Sequence, residues 1–303
     1  MNIASLKSWL RFGVSILVSG WILYALLSRH GVEQIVRPIG NLSSGTMLGL
    51  ILTFLFTVWA AAYKIMNLVE IFGAKPRFTQ VLRSLLVSAA FNSILPGRLG
   101  DLHRISLLAR IPHLKAAPFM IVLLERYLDI GVILGLLSTV TFFSSGRHAP
   151  WIEGVSLGLV IFQGILWVGL SKWSGPTPLI ASLNRMVLVW LDCPRLYVKT
   201  LGWGALSWGL NMSLLTLALH SCFPFVPIRD VVAAGALGVA AGLSPIGVNG
   251  LGVREAVLIY CFPLLNPAGV IQAGLIYFAF TAVPMIIAGV VTISLGHWSK
   301  YKN

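Results

Sequence analysis

Three stretches of the chain hold residues whose types and spacing could do chemistry. The first runs Asn92-Ser-Ile-Leu-Pro96-Gly97-Arg98-Leu-Gly100-Asp101-Leu-His103-Arg104. Proline removes a backbone donor and glycine loosens a helix, so the polar backbone at this break needs protein partners or a wet cavity. Arg98 and Arg104 suit bidentate contact with a phosphate or carboxylate, and the amides after Gly97 add donors at a helix start. The plainer alternative is an interfacial loop anchored by its basic residues.

The second stretch is Glu125-Arg126-Tyr-Leu-Asp129, inside an apolar run from Ala116 to Phe143. On a helix Glu125 and Asp129 share a face and repel, while Arg126 and Asp129 are spaced to pair. The surplus negative charge must find a partner, because a charge at the bilayer centre costs about 2.5 to 3.5 kcal/mol on insertion scales. Arg98 or Arg104 is the expected partner, and a purely structural ion pair is the alternative reading.

The third is Pro245-Ile-Gly247-Val-Asn249-Gly250-Leu-Gly252-Val-Arg254-Glu255. Its glycines permit positive φ, and its acid and base stand together at the start of an apolar helix. It has neither the dinucleotide glycine spacing nor the P-loop Lys and Ser/Thr. Across the three stretches Arg98, Arg104, Arg126 and Arg254 balance Asp101, Glu125, Asp129 and Glu255. A compensated set of this kind could recruit a charged headgroup by exchanging partners, or could exchange protons.

The elements that must position these groups are membrane helices. Apolar residues make up 57% of the chain and charged ones 10%, which lies outside the soluble globular range. Runs at Phe12 to Ser28, Met47 to Tyr63, Gly154 to Ser171, Thr200 to Leu219 and Ala268 to Gly296 carry no formal charge and are long enough for roughly 30 Å of hydrocarbon. Ala116 to Phe143 is long enough as well. The first run follows Lys7 and Arg11 like a secretory signal, but no small-x-small cleavage site follows it, and it reads as an uncleaved anchor.

Charge bias sets the orientation. Lys7 and Arg11, then Lys64, Lys75, Arg77 and Arg83, then Lys172, Arg185, Arg195 and Lys199, then Lys300 and Lys302 mark the cytoplasmic side, with both termini there. The alternate loops are nearly balanced. That assignment closes only if Ser84 to Leu95 and Val231 to Val248 enter the membrane and return, each stopping at its Pro and Gly break. The expected fold class is therefore all-α: a polytopic integral membrane protein with about six full spans plus two broken or re-entrant segments. The outlines Pro76, Pro96, Gly97, Gly100, Asp101, Arg104 and Pro227, Pro245, Gly250, Gly252, Arg254, Glu255 hint at an inverted repeat, with halves 1–143 and 144–303 of a single domain.

Other classes fare worse. The net charge of +13 has no basic block interleaved with aromatics, so positive-inside topology explains it better than nucleic acid. Cys193, Cys222 and Cys261 are scattered and read as free thiols, with a Cys222 to Cys261 bridge as the alternative. His30, His103, His113, His148, His220 and His297 are too dispersed for a metal or a catalytic base, and no cofactor is expected. Leu179, Leu183, Met186 and Trp190, near Arg185 and Arg195, have the spacing of an interfacial helix.

"LPGRLGDLHRISLLAR", "LLERYLDIG" and "SPIGVNGLGVREA", in that order and at those intervals, resemble the signature stretches of the lysylphosphatidylglycerol synthase transmembrane, or flippase-like, family. The resemblance covers essentially the whole chain. It implies one helical membrane domain and movement of a membrane lipid between leaflets. Matched by position are Pro96, Gly97, Arg98, Gly100, Asp101, Arg104, Glu125, Arg126, Asp129, Pro245, Gly250, Gly252, Arg254 and Glu255, and Asn92 and Asn249 join them as candidate lipid-binding residues. Asn249 stands where the pattern expects glycine, and His103 where an apolar residue is usual. Fused relatives carry a soluble domain that aminoacylates phosphatidylglycerol; the chain stops at Asn303, so that transfer is expected to be absent. Two rivals remain open: an intramembrane enzyme acting on a lipid carrier, and a non-catalytic partner of a lipid- or glycan-synthesising enzyme.

Overall fold

The computed structural model describes residues 42–95, 99–111, 114, 118–142, 149–172, 192–243, 249–262 and 265–298. The first apolar run, the interfacial stretch around Leu183 and Trp190, the carboxy-terminal lysines, and Pro96, Gly97, Arg98 and Pro245 lie outside the described residues. Among those described, regular structure is helical only: α1 Ser44–Ile71, α2 Phe78–Ile94, α3 Gly100–Leu108, α4 Pro118–Phe142, α5 Ala149–Lys172, α6 Pro194–Cys222, α7 Ile228–Gly242, α8 Val253–Cys261 and α9 Pro267–Trp298.

Helices α1, α4, α5, α6 and α9 have 28, 25, 24, 29 and 32 residues. At 1.5 Å per residue each exceeds the roughly 30 Å of a hydrocarbon core. Two of the described helices, Ser44–Ile71 and Pro267–Ser294, also meet the apolar requirement for crossing a membrane. By contrast α2 and α7, of 17 and 15 residues, fall short of that thickness and stop just ahead of Pro96 and Pro245. The Cys residues are free thiols, with Cys261 buried.

One sequence expectation is corrected. Lys64 reads as a loop charge because the apolar run ends at Tyr63, yet α1 continues to Ile71 and Lys64 is buried within it. No breaker intervenes until Gly73, whose φ of +80° ends the helix while the amides of Gly73 and Ala74 return to the Glu70 and Val69 carbonyls.

Beside a buried apolar interior, the outer faces are apolar and several charges are buried. Leu48, Leu55 and Phe56 on α1, Val155, Phe162 and Ile165 on α5, and Ile287 and Val290 on α9 are exposed, whereas Lys64, Arg104, Glu125, Asp129, Arg254 and Glu255 are buried. Large apolar side chains gain nothing from facing water and lose nothing by facing lipid, while isolated charges cannot face lipid. The surface is therefore one built to meet hydrocarbon.

The chain packs as two compact units, each drawing on both 1–143 and 144–303: Met1–Leu55, Leu85–Arg104 and Asn211–Asn303 form one, Phe56–Ser84 and Ile105–Leu210 the other. In the first, α9 backs the second half of α2, where a Cβ at Gly289 would lie 2.3 Å from that of Ala90. In the second, α4 and α5 are joined by Ser138 to Ser156 at 2.6 Å, and Trp59 and Tyr63 of α1 pack on Trp203 of α6.

If the exposed face of α5 meets lipid, Phe162→Asp lowers the yield of membrane-inserted protein, in line with a penalty of about 2.5 to 3.5 kcal/mol per acid, while Phe162→Leu does not. Membrane-fraction yields of the two variants test this; wild-type insertion of Phe162→Asp contradicts it.

Candidate functional site

The first motif spans the end of α2 and the start of α3, within the first unit. Helix α3 begins against α2 so closely that a Cβ at Gly100 would lie 2.1 Å from the Ser88 carbonyl oxygen and 2.6 Å from Asn92 Oδ1, so only glycine fits there. That approach brings Asn92 Nδ2 to donate to Asp101 Oδ1 at 3.0 Å. One turn on, Arg104 Nη2 donates to the same oxygen at 2.7 Å, with Arg104 almost wholly buried. Asn92 keeps its other polar atom, Oδ1, buried with no partner among the described residues. His103 lies against Phe91, ring centroids 5.1 Å apart, so the departure at 103 makes an aromatic contact.

The third motif also belongs to this unit. Asn249, Gly250 and Gly252 have φ of +51°, +74° and +86°. Glycine adopts this left-handed conformation freely, and asparagine tolerates it better than most residues, which accounts for Asn249 at a position where glycine is expected. The turn delivers the chain into α8, whose first turn is closed by Glu255: its Oε2 accepts from the Gly252 amide at 2.6 Å. This is one half of a capping box. Arg254 Nε donates to Glu255 Oε1 at 3.1 Å, and its guanidinium stands 4.5 Å over the Tyr277 ring, whose hydroxyl donates to Asn211 at 2.7 Å. Arg254 and Glu255 are both buried.

Glu255 also has a complement in α9 that sequence reading did not single out. A Cβ at Gly274 would lie 2.0 Å from Glu255 Oε1. The glycine is the space in which the carboxylate sits, and nothing about a glycine in an apolar run marks it as such.

The second motif belongs to the other unit and is held by residues the sequence reading placed elsewhere. Lys64 Nζ lies 2.6 Å from Asp129 Oδ1 and 3.0 Å from Glu125 Oε1, all three buried. Trp208 Nε1 of α6 donates to Asp129 Oδ1 at 2.8 Å, and Arg126 Nη1 to Asp129 Oδ2 at 3.2 Å. The expected Arg126 to Asp129 pair is thus present. The repulsion between Glu125 and Asp129 is answered by Lys64, a cation on α1. One signal for Lys64 was available: α1 has no breaker before Gly73.

With Lys64 counted, the charges close within each unit. Lys64 and Arg126 balance Glu125 and Asp129; Arg104 balances Asp101, and Arg254 balances Glu255. Taking a charge out of water costs several kcal/mol, and only a close, well-bonded partner repays it.

Residues 12–289, a span that takes in all three motifs, match the family model described as Lysylphosphatidylglycerol synthase TM region. A comparison with curated proteins gives no match.

Removing Lys64 should cost more than removing the pair it serves. Lys64→Met is expected to lower stability by about 3 to 5 kcal/mol, because it strands buried carboxylates, and Lys64→Met with Asp129→Asn should recover part of that loss. Thermal unfolding of the detergent-extracted variants decides it; a double variant no better than Lys64→Met alone overturns the assignment.

Proposed function

We propose that this chain, which belongs to the lysylphosphatidylglycerol synthase TM family, is a translocase that carries an anionic or zwitterionic lipid headgroup across the cytoplasmic membrane. The family points to a membrane protein concerned with lipids, and the observation that carries the finer reading is the burial of matched charges at the two broken helices. A scaffold has no need for Arg104, Arg254, Asp101 and Glu255 in its interior, since apolar residues of similar size would pack there at lower cost. A path for a charged headgroup does need them, because the headgroup must trade its water for fixed partners that can re-pair when it leaves.

In this reading about six full spans surround two re-entrant segments, both termini lie in the cytoplasm, and the breaks at Pro96-Gly97 and Pro245 face a polar cavity. Arg98, Arg104 and Arg254 bind the headgroup while the acyl chains stay in hydrocarbon. Asp101 and Glu255 hold Arg104 and Arg254 when no headgroup is present, supported by Asn92 and by the amide of Gly252. Glu125, Arg126 and Asp129 form a compensated set with Lys64 that releases charge when a headgroup arrives. Arg98, beside the Pro96-Gly97 break, is the first contact for an anion. No chemical step on the lipid is required, so the protein acts without catalysis.

Reconstitution in liposomes with lipids labelled in one leaflet tests the proposal. The wild type should equilibrate an anionic phospholipid at least about tenfold faster than Arg98→Ala with Glu255→Gln, a loss equivalent to roughly 1.4 kcal/mol in the barrier. Equal rates for wild type, double variant and empty liposomes would sink it.

A further inference from the structure

Within the second unit, α4, α5 and the start of α6 line a pocket of about 260 Å³, with Tyr127 and Leu128 of the second motif in its wall but none of that motif's charged side chains. Its walls include Tyr127, Val132, Val160, Gln163, Gly164 and Tyr197, and no charged side chain among the described residues lines it. The volume is room for far more than a single water, which needs roughly 10 to 15 Å³ by the same measure.

The polar groups at its wall are set by a reciprocal bond between helices. Tyr127 hydroxyl donates to the Gln163 carbonyl at 2.5 Å, and Gln163 Nε2 donates back to the Tyr127 carbonyl. The exchange orients the amide across the face of Gly131, where a Cβ would lie 2.7 Å from Gln163 Oε1. Gln163 Oε1 is left buried with no partner among the described residues. Turning the amide over would set oxygen against the Tyr127 carbonyl, so the free group is an acceptor awaiting a donor. A buried, unmade bond of this kind carries a desolvation cost that a ligand bearing a hydroxyl would return.

The mouth of the pocket identifies the kind of molecule that brings the hydroxyl. Gly164 is exposed and is flanked on α5 by exposed Ile161, Phe162 and Ile165, so the opening lies in an apolar outer face. A ligand entering there comes from lipid. With no charge to meet it, an ionised headgroup would lose its hydration without compensation.

We propose that this pocket is a lateral binding site for a neutral, hydroxyl-bearing lipid headgroup, such as a sugar carried on diacylglycerol, with Gln163 Oε1 accepting from the ligand and the Tyr127 and Tyr197 rings forming its walls. The site uses none of the motifs' charged side chains, and its occupancy does not depend on translocation.

Native mass spectrometry of the detergent-extracted full chain tests it with three probes: a dioctanoylglycerol bearing one galactose, dioctanoylphosphatidic acid, and free galactose. The wild type should retain the galactolipid at least about tenfold better than either other probe. Gly164→Leu fills the mouth, and because a Cβ at Gly164 meets nothing within 4 Å the variant should elute like wild type. Retention of the galactolipid should fall about tenfold in Gly164→Leu and in Gln163→Leu. Unchanged retention in both variants, preference for phosphatidic acid, equal binding of free galactose, or no galactolipid adduct would each overturn the proposal. Since nothing has to move for the probe to be retained, these outcomes leave the translocase reading to its own liposome test.

Discussion

A charge that leaves water must be matched where it stops, and the structure is organised around that requirement. Lys64 lies within hydrogen-bonding distance of both Glu125 and Asp129 in one unit, and Arg254 of Glu255 in the other. In each case the ion pair is not left to two side chains alone. Asp129 also takes Trp208 and Arg126, Glu255 also takes the Gly252 amide, and Asp101 takes both Asn92 and Arg104. These extra bonds are what make buried pairs tolerable, because the Coulomb term by itself seldom exceeds the desolvation cost.

Backbone geometry serves the same end. The left-handed residues 249, 250 and 252 turn the chain so that Glu255 reaches back to the amide at the start of α8. Gly100 lets α3 start hard against α2, which is what places Asp101 under Asn92. Gly274 leaves the room that the Glu255 carboxylate fills. A methyl group at 100 or 274 would overlap an oxygen, so in both places the absence of a side chain is part of how a charge is held.

Much of this could be read in the chain before any coordinates. Helical membrane character follows from the apolar runs, the ends of α2 and α7 from Pro96 and Pro245, and the spacing of Arg126 and Asp129 from helical periodicity. That the acids of the second motif need basic partners was also legible, from their place in an apolar run. What was not legible was which cation serves which acid. Lys64 stands at the edge of an apolar run, where side chains at the membrane boundary usually point to water, and only the continuation of α1 to Ile71 turns it inward. Trp208 and Gly274 act through contacts between residues far apart in sequence, and a tryptophan or glycine in an apolar run carries no local mark of such a partner. Asn249, a departure by pattern, is explained only once its φ is known.

Local neutrality is the claim on which the rest depends, and the coupling of Arg254 to Glu255 tests it most directly. A double-mutant cycle of Arg254→Met and Glu255→Gln, read by reversible unfolding in mixed micelles, should give an interaction of at least about 2 kcal/mol, since either single variant strands a buried charge and the double variant strands none. Losses that add to within about 0.5 kcal/mol would mean the two residues are stabilised independently, and would contradict the account.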